Sequence, residues 1–325
     1  GELDAGTYML ALADDIARGY EEPCYDVVSD DGAELFCFRA TKKEKIKIGE
    51  APYYPSIDSL RLEDEQPAPH LLFTVMDEAG NTVRRIKAPA KKGMNRIVWD
   101  FRYSPFGPVD LTQFDESFVF SSPETGYMAL PGNYKVSLSK FEDGQYSELV
   151  AAIPFKTAAL NNATLPATDK KVLEEFGKKV GELRRVSAAT DEYRKELVNK
   201  IKYIKQAILE TPKLSTGLSK TINDLEKRLT DANTKMNGDA TVARREFETL
   251  PSINGRIGSI AGALWSTTAA PTTTFINSLS VAEKQFTLVY NEIKAIGIAV
   301  TNIELELEKN KAPYTPGRLP VWSGN

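Results

Sequence analysis

The chain has 325 residues, of which 42% are hydrophobic and 26% are charged, so it is long enough for two ordinary domains with a buried core each. Its formal net charge of −4 is mild, and we therefore expect neither nucleic acid nor an anionic membrane surface as a partner. No run approaches the roughly 18 apolar residues that would span a bilayer, so we expect no membrane span, and no signal-peptide pattern is visible.

The first predicted elements form a hairpin that carries both cysteines. Cys24 and Cys37 flank a turn signal, Asp30-Asp31-Gly32, between two short apolar runs. A hairpin centred between Asp30 and Asp31 would place the two sulfur atoms directly opposite each other. This favours a cross-strand disulfide and an oxidising compartment, the periplasm or the cell exterior. The alternative is two free buried thiols in a cytosolic protein.

Short strands are predicted up to about residue 160. Prolines and glycines punctuate this half, with β-branched and aromatic runs between them, which is typical of an antiparallel β-sandwich. The candidate strands are Thr7–Ala13, Tyr25–Val28, Ala33–Arg39, Lys45–Ile48, Ser56–Leu62, Leu71–Asp77, Thr82–Ile86, Arg96–Tyr103, Asn133–Ser139 and Leu149–Phe155. We assign residues 1–50 to N-terminal strands and the hairpin, and residues 51–158 to the sandwich.

The stretch GMNRIVWDFRY, residues 93–103, is either a site built on Trp99 and Asp100 or one strand of the sandwich. Strand alternation places Trp99 on the same face as Ile97, Phe101 and Tyr103. Because this face is mostly apolar and aromatic, we predict a core strand with Trp99 inside and Asp100 outside.

The insertion at residues 104–127 is long and aromatic for a loop, and it is the best place to look for a binding surface. The residues that we predict for a ligand or partner surface are Tyr103, Phe106, Phe114 and Phe118. The alternative is that these rings cover the end of the sandwich or the contact between the domains. Acidic clusters fall in predicted turns and polar loops, and the single histidine, His70, opens an apolar strand. We therefore predict no catalytic residue, no metal site and no cofactor.

After residue 160 apolar residues recur three or four positions apart, which is the period of amphipathic helices. A first helix is predicted to start at Thr168-Asp169 and to stop at Thr211-Pro212. Two further helices are predicted from the apolar stripes Leu214, Leu218, Ile222, Leu225, Leu229, Met236 and Ile253, Ile257, Ile260, Leu264. The last helix steps by four and three from Phe275 to Leu307, a 3.5-residue repeat. The opposite helix faces are predicted to be polar and solvated.

The predicted fold class is therefore α+β, with β before α. An N-terminal antiparallel β-sandwich is followed by a C-terminal antiparallel helical bundle at residues 159–311. The tail, residues 312–325, contains three prolines and is predicted to run extended over a surface, pinned by Tyr314 and Trp322.

Three phrases of the first half carry a resemblance to a known family. They are Val75-Met-Asp-Glu-Ala-Gly-Asn-Thr-Val83, Gly93-Met-Asn-Arg-Ile-Val-Trp-Asp-Phe-Arg102 and Leu130-Pro-Gly-Asn-Tyr134. In this order they resemble a FlgD-type immunoglobulin-like (Ig-like) module. The version they look most like follows the BNR-repeat β-propeller of large secreted bacterial sortilin/VPS10-like proteins, which are often labelled glycosyl hydrolases. In that family a helical segment follows the module, and the chain closes with a phrase like Tyr314-Thr-Pro-Gly-Arg318.

The resemblance implies an Ig-like sandwich, with residues 1–50 linking to an upstream propeller or remaining from it. Since the chain starts at Gly1 and not at Met, we expect it to be a piece of a longer protein. No Asp-box (Ser-x-Asp-x-Gly-x-x-Trp) occurs in the chain, so the enzyme label of the family does not carry over to its residues.

The function expected from this resemblance is that of a non-catalytic scaffold or docking region, linked to extracellular glycan or protein processing. Its partner would be the upstream β-propeller or another protein subunit, in the periplasm, at the cell surface or in the medium. The alternatives are a carbohydrate-binding accessory module, with polysaccharide as its partner, and a glycosyl hydrolase component with a site between sandwich and bundle.

Overall fold

The computed structural model describes residues 24–28, 34–39, 56–90, 95–111, 124–160, 167–214 and 216–322. The chain divides into two compact units. The sheet unit comprises Gly1–Ser104 and Met128–Asn162, and the helical unit comprises Pro105–Tyr127 and Ala163–Asn325. The strands belong to the first unit and the long helices to the second, so the predicted order of β before α is confirmed.

The sheet unit contains one short helix and six described strands. They are β1 Cys24–Val28, β2 Glu34–Arg39, α1 Ile57–Glu65, β3 His70–Asp77, β4 Thr82–Pro89, β5 Asn133–Glu142 and β6 Gln145–Lys156. β1 pairs with β2, and the other four strands form an antiparallel sheet in the order β4-β3-β5-β6.

Turn chemistry sets two connections of this sheet. Between β3 and β4, the Asp77 carboxylate accepts the Asn81 backbone N–H at 2.8 Å, and Gly80 takes a φ of +87°. Between β5 and β6, Asp143 and Gly144 take φ values of +50° and +79°. Two successive positive φ values are those of a tight type I′ hairpin turn, for which Asp-Gly is a favoured pair.

The core of the sheet unit lies against alternate residues of the central strands. On β3 the side chains of Phe73 and Val75 are buried, as period-two alternation requires. Val83 of β4 and Val136 of β5 join the same cluster. Trp99, only 4% exposed, lies in this cluster, with its ring 5.3 Å from that of Tyr134.

The predicted strand Arg96–Tyr103 is wrong in its backbone, although its two faces are assigned as expected. Trp99 is buried while Val98 is 60% exposed and Asp100 is exposed. The segment makes isolated bridges in place of a strand, one at Ile97 and one from Arg102 to Met128, and Phe101 takes a φ of +57°. A local turn explains the break, because the Asp100 carboxylate accepts the Arg102 N–H at 3.0 Å and the Trp99 indole donates to the Arg102 carbonyl at 2.9 Å.

A second predicted strand, Ser56–Leu62, is a helix, α1. The alternation of Leu60 and Leu62 is typical of a strand, but neither side chain is buried in the structure. Asp58 and Arg61 form an exposed ion pair at 3.3 Å, one helical turn apart. Because none of the described side chains of α1 is buried, the period of its apolar residues carries little information about this segment.

The hairpin β1–β2 forms as expected, but in a different register. Cys24 pairs with Arg39, and Cys37 pairs with Asp26, so the two cysteines are diagonal neighbours and not direct partners. A bulge between Val27 and Val28 shifts the pairing near the turn. Diagonal residues of an antiparallel pair are separated by about 7–8 Å, further apart than direct partners. The disulfide itself stays a prediction.

The helical unit contains five described helices. They are α2 Lys170–Leu209, α3 Thr216–Asn237, α4 Ala240–Ala243, α5 Ile253–Leu264 and α6 Thr273–Lys309. The predicted start of α2 is confirmed, because the Asp169 carboxylate caps it by accepting the Lys171 N–H at 2.8 Å. Ser252 and Thr272 cap α5 and α6 in the same way. None of the described helices combines the length and apolar character needed to cross a membrane.

The predicted apolar stripes are the buried faces of these helices. The second half of α2 packs with α3 and α6 around one cluster, and its first half packs with α5 and the start of α6 around another. The members of the α6 stripe that are buried are Leu279, Ala282, Phe286, Val289, Ile293, Ile296, Val300, Ile303 and Leu307. The 3.5-residue repeat therefore identifies the face that this helix turns inward.

Candidate interaction site

The four aromatic residues predicted to form a binding surface fall in different places. Tyr103 is half-buried and packs against the core of the sheet unit. Phe106 belongs to the helical unit, where it is also half-buried. Phe114 and Phe118 lie outside the described residues. A surface common to all four stays a prediction, and Phe106 is the residue around which a site can be built.

Phe106 lies in an aromatic cluster on helix α2. Its ring stacks on Tyr127 at 5.7 Å and meets Trp265, the residue that follows α5, edge-on at 6.2 Å. Below the cluster, α2 carries two glycines four residues apart, Gly177 and Gly181, which share one helix face. A Cβ atom at Gly181 would lie 2.7 Å from the Phe106 ring, and one at Gly177 would lie 3.2 Å from the Tyr127 ring. The rings therefore sit directly on the helix backbone.

The two ends of the segment 107–124, Gly107 and Glu124, lie next to each other beside helix α2. The backbone of Gly107 approaches Glu124 so closely that a Cβ atom would overlap the carboxylate. Glu124 pairs with Arg184 of α2 at 2.7 Å. The next carbonyl, that of Thr125, accepts a 2.5 Å hydrogen bond from the indole N–H of Trp265. These contacts fix both ends of the segment on α2 and at the end of α5.

Beyond this anchored base the chain exposes apolar side chains. Val109 and Leu111 are each 90% exposed, a few residues after Phe106. Exposed apolar residues beside a fixed base are the arrangement expected of a contact with a protein or ligand. The fixed base lowers the conformational entropy that the segment would lose on binding. What this site can offer chemically is apolar and aromatic contact, with one carboxylate already occupied by Arg184.

The C-terminal tail is anchored by residues that the sequence analysis missed. Tyr314 is 63% exposed and Trp322 is 85% exposed, so the prediction that they pin the tail is wrong. The anchor is Arg318, whose guanidinium is buried and pairs with the Glu308 carboxylate of α6. It also donates to the carbonyl oxygens of Ala312, at 2.9 Å, and Pro313. Arginine suits this role because its planar fork serves several acceptors at once.

A polar network joins α2, the end of α3 and α5. The Ser187 hydroxyl, almost fully buried, donates to Asn254 at 2.6 Å, and Asn254 donates to Asn237 at 2.7 Å. Asn237 in turn donates to the Asp191 carboxylate at 3.0 Å. The same carboxylate accepts a hydrogen bond from Arg194 at 2.9 Å. Each link satisfies a partly buried polar group, so the network fixes the relative position of these helices.

The pKa of Asp191 is lowered from its ordinary value. Partial burial acts in the opposite direction, because it disfavours the charged form. Hydrogen bonds from Arg194 and Asn237, together with the charges of Arg194 and Lys195, outweigh that effect. Asp191 is therefore held ionised as a structural acceptor, the opposite of the raised pKa that a general acid needs.

Among the residues that the structure describes, the other titratable groups considered from the sequence do not form a metal-binding cluster. His70, at the start of β3, stacks on Phe141 at 4.7 Å, and its Nε2 lies 3.3 Å from the Tyr146 hydroxyl oxygen. Across the described ranges, no group of three His, Cys, Asp or Glu side chains is placed to hold a metal ion. The acidic pairs at 14–15, 21–22 and 30–31 lie outside these ranges.

An open groove of about 470 Å³ lies between α2 and α6. Its floor is apolar, formed by Leu183, Val186 and Phe286, and its rim carries the charged side chains Lys178, Lys179, Glu182 and Glu283. Hydrogen bonds from Arg185 lower the pKa of Glu182. No convergent set of polar groups points into this groove from the residues that line it, so it is a less defined site than the base around Phe106.

No protein-family model matches the chain, and comparisons with curated proteins and with solved structures returned no match.

Proposed function

We propose that this chain is a non-catalytic docking region of a secreted or surface propeller protein, linked to extracellular glycan or protein processing. Its partner is the β-propeller of the same protein or another subunit, bound outside the cell or in the periplasm. The observation that carries this proposal is the exposure of Val109 and Leu111, 90% each, beside a base that Phe106 and Glu124 anchor. Exposed apolar residues on a fixed base favour a contact surface.

We also propose that the sheet unit is an Ig-like sandwich and that the long helices form an antiparallel bundle. Tyr134, near the start of β5, donates its hydroxyl to the Leu130 carbonyl at 2.5 Å. This bond is like the tyrosine corner of Ig-type sandwiches, in which a tyrosine near a strand start bonds to the backbone a few residues upstream. The buried Trp99 beside Tyr134 and Phe155 supports the same assignment.

The docking proposal is tested by binding to the propeller. The reading frame that encodes the chain is expected to encode a BNR-repeat propeller upstream, and that propeller, produced separately, is titrated with the chain by calorimetry. The double variant Val109→Ser/Leu111→Ser should weaken binding roughly tenfold or more, because two apolar side chains lose their burial. The matched control is Leu209→Ser/Leu250→Ser, at positions 77% and 88% exposed, which should leave the affinity unchanged.

Three outcomes of this test contradict the proposal. The reading frame has no propeller, or the two proteins do not bind, or both double variants weaken binding equally. The last result would place the contact away from the base around Phe106.

The alternative function, polysaccharide binding, is favoured by the exposed rings of Tyr314 and Trp322. Aromatic faces exposed to solvent are available to stack on sugar rings. Affinity electrophoresis in gels that contain polysaccharide measures this directly, and Tyr314→Ala/Trp322→Ala should restore the mobility of the retarded chain. Equal mobility of wild type and variant on every polysaccharide would contradict it.

A disulfide between Cys24 and Cys37 would support the extracellular or periplasmic location, since disulfides persist in oxidising compartments. Peptides from a glutamate-specific protease, which cleaves after Glu34 between the two cysteines, should then include a linked pair, prepared without reductant, that separates on reduction. Two separate peptides with free thiols would favour the cytosolic alternative.

A further inference from the structure

The chain contains two Asn-Gly pairs, Asn237-Gly238 and Asn254-Gly255. Asparagine is thermolabile, most of all before glycine, because glycine has no side chain to obstruct a ring closure. The glycine nitrogen attacks the asparagine Cγ atom, a C–N bond closes a succinimide ring, and the side-chain amide leaves with the glycine N–H proton as ammonia. One water molecule then opens the ring and gives aspartate or isoaspartate.

Both pairs lie at the junction where α3 ends and α5 begins. Asn237 is the last residue of α3 and Asn254 is the second residue of α5. They are 17 residues apart in the chain, and the Asn254 amide donates to the Asn237 Oδ1 atom at 2.7 Å. Asn237 is exposed, so the water that the reaction consumes reaches it. The fold therefore brings the two asparagines of the Asn-Gly pairs into direct contact.

Hydrogen bonds engage the attacking nitrogen of each pair. The Gly238 N–H donates to the Thr234 carbonyl at 2.9 Å, in the bond that closes the end of α3. The Gly255 N–H donates to the Ser252 hydroxyl at 3.1 Å, in the bond that caps the start of α5. Each nitrogen has to give up this bond before it can lose its proton and attack a side chain. The intact helix ends therefore oppose the reaction.

The polar network holds the two side-chain amides that would be attacked. Asn237 Nδ2 donates to the Asp191 carboxylate and to the Asn233 side chain, each at 3.0 Å. Asn254 accepts from the buried Ser187 hydroxyl at 2.6 Å and donates to Asn237. Because the oxygen and the nitrogen of each amide are both bonded, neither amide is free to turn toward the glycine nitrogen beside it. The network has to open before either pair can react.

We propose that Asn237 and Asn254 are deamidation sites and that the network makes them a one-way switch. The closed junction protects both asparagines, and each opening exposes them to cyclisation. Aspartate at position 237 no longer donates to Asp191, and its carboxylate repels the Asp191 carboxylate. The modified junction then stays open. This switch is independent of the docking function.

The rate of deamidation in the folded and the unfolded chain is the first test. The chain is incubated at mildly alkaline pH with and without urea and then digested with trypsin at mildly acidic pH. The two pairs fall in separate peptides, residues 236–244 and 246–256, whose masses show each replacement of NH₂ by OH. Both pairs should react roughly tenfold or more slowly in the folded chain, since local opening limits the reaction. Equal rates with and without urea overturn the proposal.

Network variants test what protects the two pairs. Ser187→Ala and Asp191→Asn each remove one hydrogen-bond partner, so both should react roughly tenfold faster than wild type, about the factor by which losing one such bond favours opening. Glu192→Gln breaks a surface pair outside the network and is the matched control, which should react at the wild-type rate. Ile201→Ala weakens the core without removing a bond of the network, so it should react more slowly than Asp191→Asn. Wild-type rates in both network variants, or a faster reaction in Ile201→Ala, overturn the proposal, because opening would then be independent of the network.

Asn237→Asp tests whether the product keeps the junction open. Hydrogen exchange followed by mass spectrometry should be roughly tenfold faster in the last turn of α3 and the first turn of α5, since one donor is lost and two carboxylates face each other. Asn291→Asp, at an exposed position of α6 outside the network, is the matched control and should exchange like wild type. Wild-type exchange in Asn237→Asp would show that the modification leaves the junction closed, which overturns the switch.

Discussion

At the scale of single residues, the Asp191 carboxylate ties helix α2 to the end of α3, and Asn237 carries the network on to Asn254 of α5. The Asp191 side chain is 13% exposed and accepts hydrogen bonds from Arg194 of its own helix and from Asn237 at the end of α3. Charge-assisted hydrogen bonds of this kind are stronger than neutral ones, and losing one partner leaves the others unsatisfied. The cost of changing Asp191 should therefore exceed that of changing an exposed acidic neighbour.

We expect Asp191→Asn to lower the free energy of unfolding by about 1–2 kcal/mol at neutral pH. Denaturant titration measures the change. Glu192→Gln is the matched control, since Glu192 is 51% exposed and pairs with Lys195 on the surface, and we expect it to cost less than about 0.5 kcal/mol. Equal costs for the two variants would mean that the network adds nothing to an ordinary surface pair.

The same residue predicts a pH dependence. Because the pKa of Asp191 is lowered in the folded chain, its contribution is fully present above the unfolded pKa of about 4 and is lost as the pH falls through the folded pKa. The difference in stability between wild type and Asp191→Asn should therefore be constant at neutral pH and shrink below about pH 4. A difference that grows on acidification would contradict the lowered pKa.

Arg318 makes a second prediction at the residue scale. Its guanidinium ties the tail to Glu308, and the other oxygen of that carboxylate accepts the Val321 N–H at 2.9 Å. We expect Arg318→Met to speed amide hydrogen exchange across residues 312–321 by roughly tenfold or more, since several charge-assisted bonds are lost together. Trp322→Ala, at a site 85% exposed, should leave the exchange unchanged. Faster exchange in Trp322→Ala than in Arg318→Met would instead identify Trp322 as the anchor of the tail.

At the scale of elements, α2 serves two purposes with one sequence. Its apolar stripe faces the core. Its two glycines, Gly177 and Gly181, let the rings of Tyr127 and Phe106 pack against the helix backbone. Glycine in a helix interior costs about 1 kcal/mol relative to alanine. Here the absence of a Cβ atom lets the aromatic rings approach the backbone, so the loss in helix propensity is offset by close packing.

We expect Gly181→Ala to displace Phe106 without unfolding the helix. A Cβ atom would lie 2.7 Å from the ring, so the ring must shift and the base of the 107–124 segment should loosen. Limited proteolysis within that segment should become faster. Gly258→Ala in α5 is the matched control, because nothing lies within 4 Å of its Cβ position, and it should stabilise the chain by up to about 1 kcal/mol. Unchanged proteolysis of Gly181→Ala would mean that Phe106 is not seated there.

The elements that the sequence predicts well are those with a long one-sided burial pattern. The stripe from Phe275 to Leu307 repeats over nine turns, so both the helix and its buried face follow from the period. Segment 96–103 is shorter, and the alternation around Trp99 predicts its faces but not the turn at Phe101, which depends on local bonds of Asp100. α1 buries neither Leu60 nor Leu62, so its period gives no reliable signal.

The anchored base around Phe106 could be predicted only in part. Its aromatic content is visible in the sequence, and two glycines four apart in a helix are a signal of close approach. Thr125, the neighbour of Glu124, and Trp265 are 140 residues apart along the chain and meet only in the folded unit, where the Trp265 indole donates to the Thr125 carbonyl. Arg318 lies in a proline-rich tail with no periodic pattern, so nothing in the sequence separates it from a solvated arginine.

At the scale of the whole molecule, each unit has its own hydrophobic core. The sheet unit is centred on residues such as Val75, which is fully buried, and the helical unit on residues such as Ile201, which is also fully buried. The two clusters share no residue. A chain with two separate cores can lose the structure of one unit while the other persists.

We therefore expect core substitutions to act on one unit at a time. Val75→Ala should cost about 2 kcal/mol and Ile201→Ala about 2–5 kcal/mol, since each leaves a cavity in a packed core. Hydrogen exchange followed by mass spectrometry reports on β3 and α2 separately. Val75→Ala should raise exchange in β3 and leave α2 unchanged, and Ile201→Ala should do the reverse. If either variant raised exchange in both elements by the same factor, the two units would unfold as one cooperative body, and the separate cores would not be independent units of stability.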